Sequence, residues 1–253
     1  MSNTSTENIL GYEVTGKNKV GCIEIIQHWL NENDGPYYFV CANPHSIQVA
    51  QNDEDFKNAL ENADLITPDG VGIVLASRIL HGNIKERITG SDIFWGLSES
   101  LNEIQIGRYF FLGSTEDVLT LMKKKMALEF PGIEVVGTYS PPFKSDFSDD
   151  DNMKMIDEIN AAKPDILWVG MTAPKQEKWI YKNKEKLNVK FIGAIGAVFD
   201  FYAGTVKRSH PVFQRMGLEW LPRLLQEPRR LWRRNFISNP MFMIRILRQR
   251  IGH

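Results

Sequence analysis

The residues best suited to chemistry sit where a short apolar run ends in an acid. Leu65-Ile66-Thr67-Pro68 is followed by Asp69-Gly70, and a helical pattern then runs from Gly70 to Leu80. A strand that empties into Pro-Asp-Gly and re-enters a helix leaves its loop at the carboxyl end of a sheet. That edge is where open α/β sheets bind ligands. A helix N-terminus favours the ionised carboxylate. An ionised carboxylate in such a loop can take a proton from an attacking hydroxyl. The competing reading is a turn aspartate that caps the helix, because Asp is a preferred cap.

Three strand-to-glycine turns accompany this loop: Leu112-Gly113-Ser114, Val169-Gly170-Met171 and Ile192-Gly193-Ala194-Ile195-Gly196. Glycine at a strand end admits close backbone approach, and a following helix N-terminus attracts phosphate. Gly113, Gly170 and Gly196 together fit a nucleotide pocket, although loop glycines explain any one of them alone. Neither a G-x-G-x-x-G fingerprint nor a P-loop is present, which disfavours a simple dinucleotide oxidoreductase. Gln176, opening a helix after Ala173-Pro174, has an amide that could read a base or a sugar; a solvent-facing first turn is the plain alternative. Arg87 could reach a diphosphate, or could pair on the surface with Glu86 or Asp92. The run Asp149-Asp150-Asp151 opens a helix, so complementing the helix dipole is a better reading than a metal site.

The elements that must hold these residues alternate. Helical spacing covers Asn18–Asn31, strand character covers Tyr37–Cys41, and a helix starts at His45 and is expected to run to about Asn62. Ser91 or Asp92 is expected to cap a helix ending near Leu101. Further strands fall at Arg108–Leu112, Ile133–Val136, Asp165–Val169 and Val189–Ile195, with helices between them. Asn8–Val14 reads as a short strand or lead-in. This alternation predicts a Rossmann-like α/β fold: a mostly parallel sheet with helices on both faces. After Phe201 the pattern changes to short helical pieces punctuated by Pro211, Pro222, Pro228 and Pro240. The expected organisation is a core over residues 1–204 and a small helical basic appendage over residues 205–253.

Bulk properties narrow the class. The 253 residues are 43% hydrophobic and 24% charged, an ordinary globular balance. Cys22 and Cys41 form neither zinc spacing nor a disulfide framework, and no metal ligand set stands out. No apolar run reaches the length of a membrane span, and the polar start lacks a signal core. The net charge of −1 hides an asymmetry. Residues 205–253 carry eleven Lys/Arg against two acids, a surplus of +9, so the rest carries −10. Ten of those eleven are arginine, the side chain suited to bidentate phosphate contacts. Arg223, Arg230 and Arg233 fall near one helical face, beside Trp220, Leu224, Leu225, Trp232 and Phe236. Such a segment suits an anionic membrane surface; a helical hairpin packed on the body with solvated arginines explains the same composition.

Taken together, these blocks resemble the WecG/TagA/CpsF glycosyltransferase family. The matching stretches are Ala42-Asn43-Pro44, Ala63 to Gly70, Glu86 to Asp92, Ala173-Pro174-Lys175-Gln176-Glu177, Gly196 to Gly204 and Gly217 to Pro228. The resemblance implies inverting transfer of a sugar from a UDP-sugar to a polyprenyl-diphosphate-linked glycan. N-acetylmannosamine, its uronic acid or a hexose are the candidate sugars. It implies cell-surface polysaccharide synthesis by a cytoplasmic enzyme peripheral to the inner face of a bacterial plasma membrane. It implies no metal or other cofactor and no nucleic-acid partner; an oligomer is compatible with it. By matched position, Asp69 is the expected general base, Asn43 positions sugar hydroxyls, and Arg87, Arg223, Arg230 and Arg233 steady the leaving diphosphate, with Gln176 on the nucleotide side. Family members often carry threonine where this chain has Cys41, so that contact to substrate is altered here. A non-enzymatic nucleotide- or membrane-binding module is the rival to this reading.

Overall fold

A computed structural model of the chain describes residues 6–32, 34–206, 232 and 234–252. Eight strands form one sheet in the order β1-β2-β4-β3-β8-β7-β5-β6. They are β1 (Thr6–Ile9), β2 (Tyr12–Thr15), β3 (Tyr37–Ala42), β4 (Leu65–Pro68), β5 (Arg108–Gly113), β6 (Glu134–Tyr139), β7 (Ile166–Gly170) and β8 (Phe191–Ala194). Only β1 runs antiparallel to its neighbour, through a hairpin with β2. The expected α/β fold is therefore the observed one.

Helices cover both faces, and strand side chains sort accordingly. Tyr38, Val40 and Ala42 join one core with Leu167, Val169 and Ile192; Phe39, Phe111, Trp168 and Phe191 join the other. The first core is covered by α2 (Pro44–Ala50), α3 (Glu54–Glu61), α4 (Val71–Ile79), α7 (Asp149–Ala162) and α8 (Lys175–Asn183). The second is covered by α1 (Lys19–Asn31), α5 (Gly90–Glu103), α6 (Glu116–Glu129) and α9 (Val198–Ala203). Continuous apolar strands buried on two faces are what a parallel sheet requires.

Three local expectations are corrected. Asn8–Val14 is not a single strand: it turns at Leu10-Gly11, where both residues take positive φ. The helix expected from His45 to Asn62 is two, because Asp53 caps a new helix by accepting from the Phe56 N–H. The cap of α5 is Thr89, whose hydroxyl receives the Asp92 N–H while the Asp92 carboxylate accepts from the Thr89 N–H.

The final helix, α10 (Asn239–Ile251), packs against α2 and α4. Phe242 and Ile246, one turn apart, are fully buried in the first core. The Gln249 amide clasps the β1–β2 turn, accepting from Leu10 N–H and donating to the Asn8 carbonyl. The Arg250 guanidinium donates to the Ile79 carbonyl at the end of α4. Phe242→Ala should therefore cost about 3–5 kcal/mol of folding stability, the usual range for emptying a buried aromatic site. Equilibrium urea unfolding measures it; a loss below about 1 kcal/mol would show that α10 is an accessory rather than part of the core.

Candidate functional site

The connections after the neighbouring strands β3 and β8 diverge. β3 leads into α2 on one face, whereas its neighbour β8 leads into α9 on the other. Diverging connections open a crevice beyond the carboxyl ends of the strands. Asn43, Asp69, Gln176 and Gly196 lie at the ends of the strands that flank it.

On one side stand the β3 and β4 loops. Asp69 N–H donates to the Ala42 carbonyl at 2.8 Å, extending the β3–β4 ladder one step past Pro68. The return loop after α4 is stitched on in turn, since Ile88 N–H donates to the Pro68 carbonyl at 2.8 Å. This bond seats Arg87 one residue from the strand that delivers Asp69. The cap of α4 is Gly70, at φ 96°, and it offers no side chain. Asp69 is therefore not the cap residue of that helix. A Cβ on Gly72 would lie 2.4 Å from Pro44 Cγ, so the first turns of α2 and α4 are pressed together. Only glycine allows this, and the contact holds the Asn43 and Asp69 loops side by side.

Asn43 caps α2. Its Oδ1 accepts from His45 N–H and Ser46 N–H, while Ser46 Oγ accepts from Asn43 N–H in a capping box. The amide nitrogen takes no part in the cap. Cys41 pairs in register with Thr67, whose hydroxyl lies 3.5 Å from the thiol. Burial pushes the Cys41 thiol well above its ordinary range, and the Asp69, Glu177 and Asp92 carboxylates push it the same way. The thiol therefore stays protonated, within electrostatic reach of three acids.

On the other side, Gln176 and Glu177 are 5% and 4% exposed, in the first turn of α8. Gln176 is not on a solvent-facing turn: its Oε1 accepts from Gly196 N–H at 3.0 Å and its Nε2 donates to Glu177 Oε1 at 2.9 Å. Gly196 takes a positive φ of 53°. Burial raises the Glu177 carboxyl to about 6, against the lowering effect of its bond from Gln176. Sequence reasoning gave Glu177 no role. A Gln-Glu pair opening a helix carries no sign that both will be buried.

The other glycines answer to packing. A Cβ on Gly113 would sit 2.4 Å from the Gly170 carbonyl oxygen, and one on Gly170 would strike the Phe199 ring at 2.5 Å. Asp151 of the acidic run is committed to the Ser148 capping box and to Lys144 at 2.7 Å, which together hold its carboxyl down at about 2. Arg223, Arg230 and Arg233 lie outside the described residues.

The chain matches the model of the glycosyl transferase WecG/TagA/CpsF family over residues 7–253. It belongs to that family. A relative from Bacillus spizizenii is 33% identical over 220 residues, spanning 87% of this chain and 82% of its own. A Bacillus subtilis relative is 29% identical over 245 residues, spanning 96% and 92%. One from Staphylococcus aureus strain MW2 is 27% identical over 248 residues, spanning 97% and 93%. All three are named N-acetylglucosaminyldiphosphoundecaprenol N-acetyl-beta-D-mannosaminyltransferase. The protein is thus a glycosyltransferase, and the reading of a non-enzymatic module gives way.

For this glycosyltransferase the cap made by Asn43 can be separated from the substrate contact expected of its amide. Asn43→Ala should lower stability by about 1 kcal/mol through loss of the cap. Asn43→Asp keeps a cap and should leave the melting temperature unchanged, while still losing most transfer activity because the amide donor is gone. Normal turnover by Asn43→Asp would confine Asn43 to capping.

Proposed function

We propose that the enzyme transfers N-acetylmannosamine, or a close relative, from a UDP-sugar to a polyprenyl-diphosphate-linked acceptor. Transfer proceeds with inversion, and Asp69 is the general base. The observation that carries this reading is the bond from Asp69 N–H to the Ala42 carbonyl. It holds a carboxylate at the edge of the crevice, beside Asn43 and next to the loop that brings Arg87.

Inversion requires one base on the side of the attacking hydroxyl. Asp69 takes that proton as the acceptor oxygen bonds to the anomeric carbon and the bond to the diphosphate breaks with its electron pair. The departing diphosphate carries growing negative charge, which fixed cationic donors stabilise. Arg87 is the candidate within the described residues, and Arg223, Arg230 and Arg233 are candidates beyond them. No metal is invoked in this scheme. The relatives' names supply the acceptor class, N-acetylglucosaminyl-diphosphoundecaprenol, and the transferred sugar.

A lipid-linked acceptor asks the enzyme to work at a membrane face. Among the described residues no helix is long and apolar enough to cross a bilayer. α10 instead exposes Met241, Ile244, Leu247 and Ile251 at steps of three and four, opposite the buried Phe242 and Ile246. Arg245, Arg248 and Arg250 lie on the same helix. An apolar stripe with arginines suits the interface of an anionic leaflet. The helix begins beside the site, where Ser238 Oγ lies 2.9 Å from His45 Nδ1. Peripheral docking through this face would bring the crevice to the acceptor.

Asp69→Asn should leave UDP binding intact, read as a thermal shift, and cut turnover at least about a hundredfold, the lower scale of a placed general base. Wild-type turnover in excess EDTA is the reference and should equal turnover without chelator. Near-normal transfer by Asp69→Asn would remove Asp69 from the base role. Separately, Ile244→Glu with Leu247→Glu should abolish sedimentation with vesicles of anionic phospholipid while keeping the melting temperature. Unchanged sedimentation would move the docking face elsewhere.

A further inference from the structure

Glu177 is the one buried acid at the crevice that the proposed chemistry leaves without a task. Its Oε1 accepts from Gln176 Nε2 at 2.9 Å. Its Oε2 is buried and finds no hydrogen-bond partner among the described residues. A carboxylate oxygen withdrawn from water and left unpaired is costly, and natural structures rarely keep one without a use.

The use follows from donor and acceptor types. An amide side chain can flip, exchanging its oxygen for its nitrogen at almost no steric cost. Gln176 is held against that flip from both ends. Gly196 N–H only donates, so it must face Oε1. An ionised carboxylate only accepts, so it must face Nε2. One Nε2 hydrogen is taken by Glu177, and the second remains to be offered elsewhere. A glutamine at position 177 could both donate and accept, and would leave Gly196 N–H as the sole fixed partner of the amide among the described residues.

We propose that Glu177 is the positioning residue of the nucleotide side of the site, locking the Gln176 amide so that its second Nε2 hydrogen is presented to an acceptor oxygen of the bound uridine diphosphate. This rests on the UDP-sugar reading given above. The lock is strongest while Glu177 is ionised, so donor binding should weaken as pH falls through about 6. The charged groups that, together with Glu177, act on the neutral Cys41 thiol of β3 are Asp69 from the β4 loop and Asp92 from α5. On α8 itself Lys178 is engaged by Asp53 of α3.

The test is steady-state kinetics of wild type and Glu177→Gln from pH 5 to pH 8, with melting temperatures and UDP thermal shifts. The expected result is a donor KM raised about five- to tenfold at pH 8, kcat within about twofold, and a KM that no longer climbs below pH 6. In a Gln176→Met background, Glu177→Gln should add nothing further, because the residue acts through that amide. His45 is untouched in the variant, so a pH break that survives belongs to another group and overturns the inference. An unchanged donor KM also overturns it, as does a fall in kcat with KM unmoved. Should Glu177→Gln not fold, Glu177→Asp, still acceptor-only but shorter, must show the raised donor KM or the inference fails. A wild-type enzyme that shows no thermal shift with UDP overturns the donor reading and this inference together. A wild-type shift that Glu177→Gln keeps in full overturns this inference alone.

Discussion

Two backbone hydrogen bonds govern the site: Asp69 N–H to the Ala42 carbonyl, and Ile88 N–H to the Pro68 carbonyl. A strand that ends at the edge of a parallel sheet leaves carbonyls in need of donors. Here those carbonyls are answered by the loops that carry the chemistry. The price of satisfying the strand ends is thus also the device that fixes Asp69 and seats Arg87. Proline at position 68 ends the ladder cleanly, because it has a carbonyl to give and no N–H. The contact of Gly72 with Pro44 then locks the next turn, so two loops move as one piece.

That rigidity matters because the site is electrostatically crowded. Asp69, Asp92 and Glu177 all act on the Cys41 thiol. Asp92 is neutralised in effect by the donors of its capping box, and Glu177 is held by Gln176. Asp92 and Glu177 are thereby each held by donors of the fold. The acidic body, ten charges below neutrality, needs cations before a diphosphate can approach it. They are concentrated in the last fifth of the chain, where ten arginines lie.

The sheet was readable because buried parallel strands are written as short apolar runs at regular intervals, and each run here became a strand. The Asp69 loop was readable for the same reason, since Pro-Asp-Gly after such a run leaves few alternatives. The hairpin at Leu10-Gly11 was not, because a leucine at φ 53° is no turn signal. The break between α2 and α3 was obscured by apolar residues that continue in phase; Asp53-Glu54-Asp55 was the available sign. The duty of Glu177 could not be read at all. Burial of a carboxylate depends on what folds over it, here α8 lying on the edge of the sheet with Gly196 brought up to Gln176. Burial of α10 had a faint signal in Phe242 and Ile246 at helical spacing, masked by the arginines between and around them.

α10 connects the two ends of this reasoning. It starts beside His45, in the first turn of the helix that Asn43 caps, and ends at the β1–β2 turn on the opposite edge of the sheet. One face is sealed into the core while the other shows apolar side chains to the outside. A helix anchored in this way cannot tilt without disturbing α2 and α4, the two helices whose first turns hold Asn43 and follow Asp69. Lipid contact on its outer face, as proposed above, would reach Asn43 and Asp69 only through these two packed helices. Val206 and Ser238 are each held to the same body, Val206 through Asp200 and Ser238 through His45. The proposed docking face and the proposed base thus rest on one scaffold of packed helices.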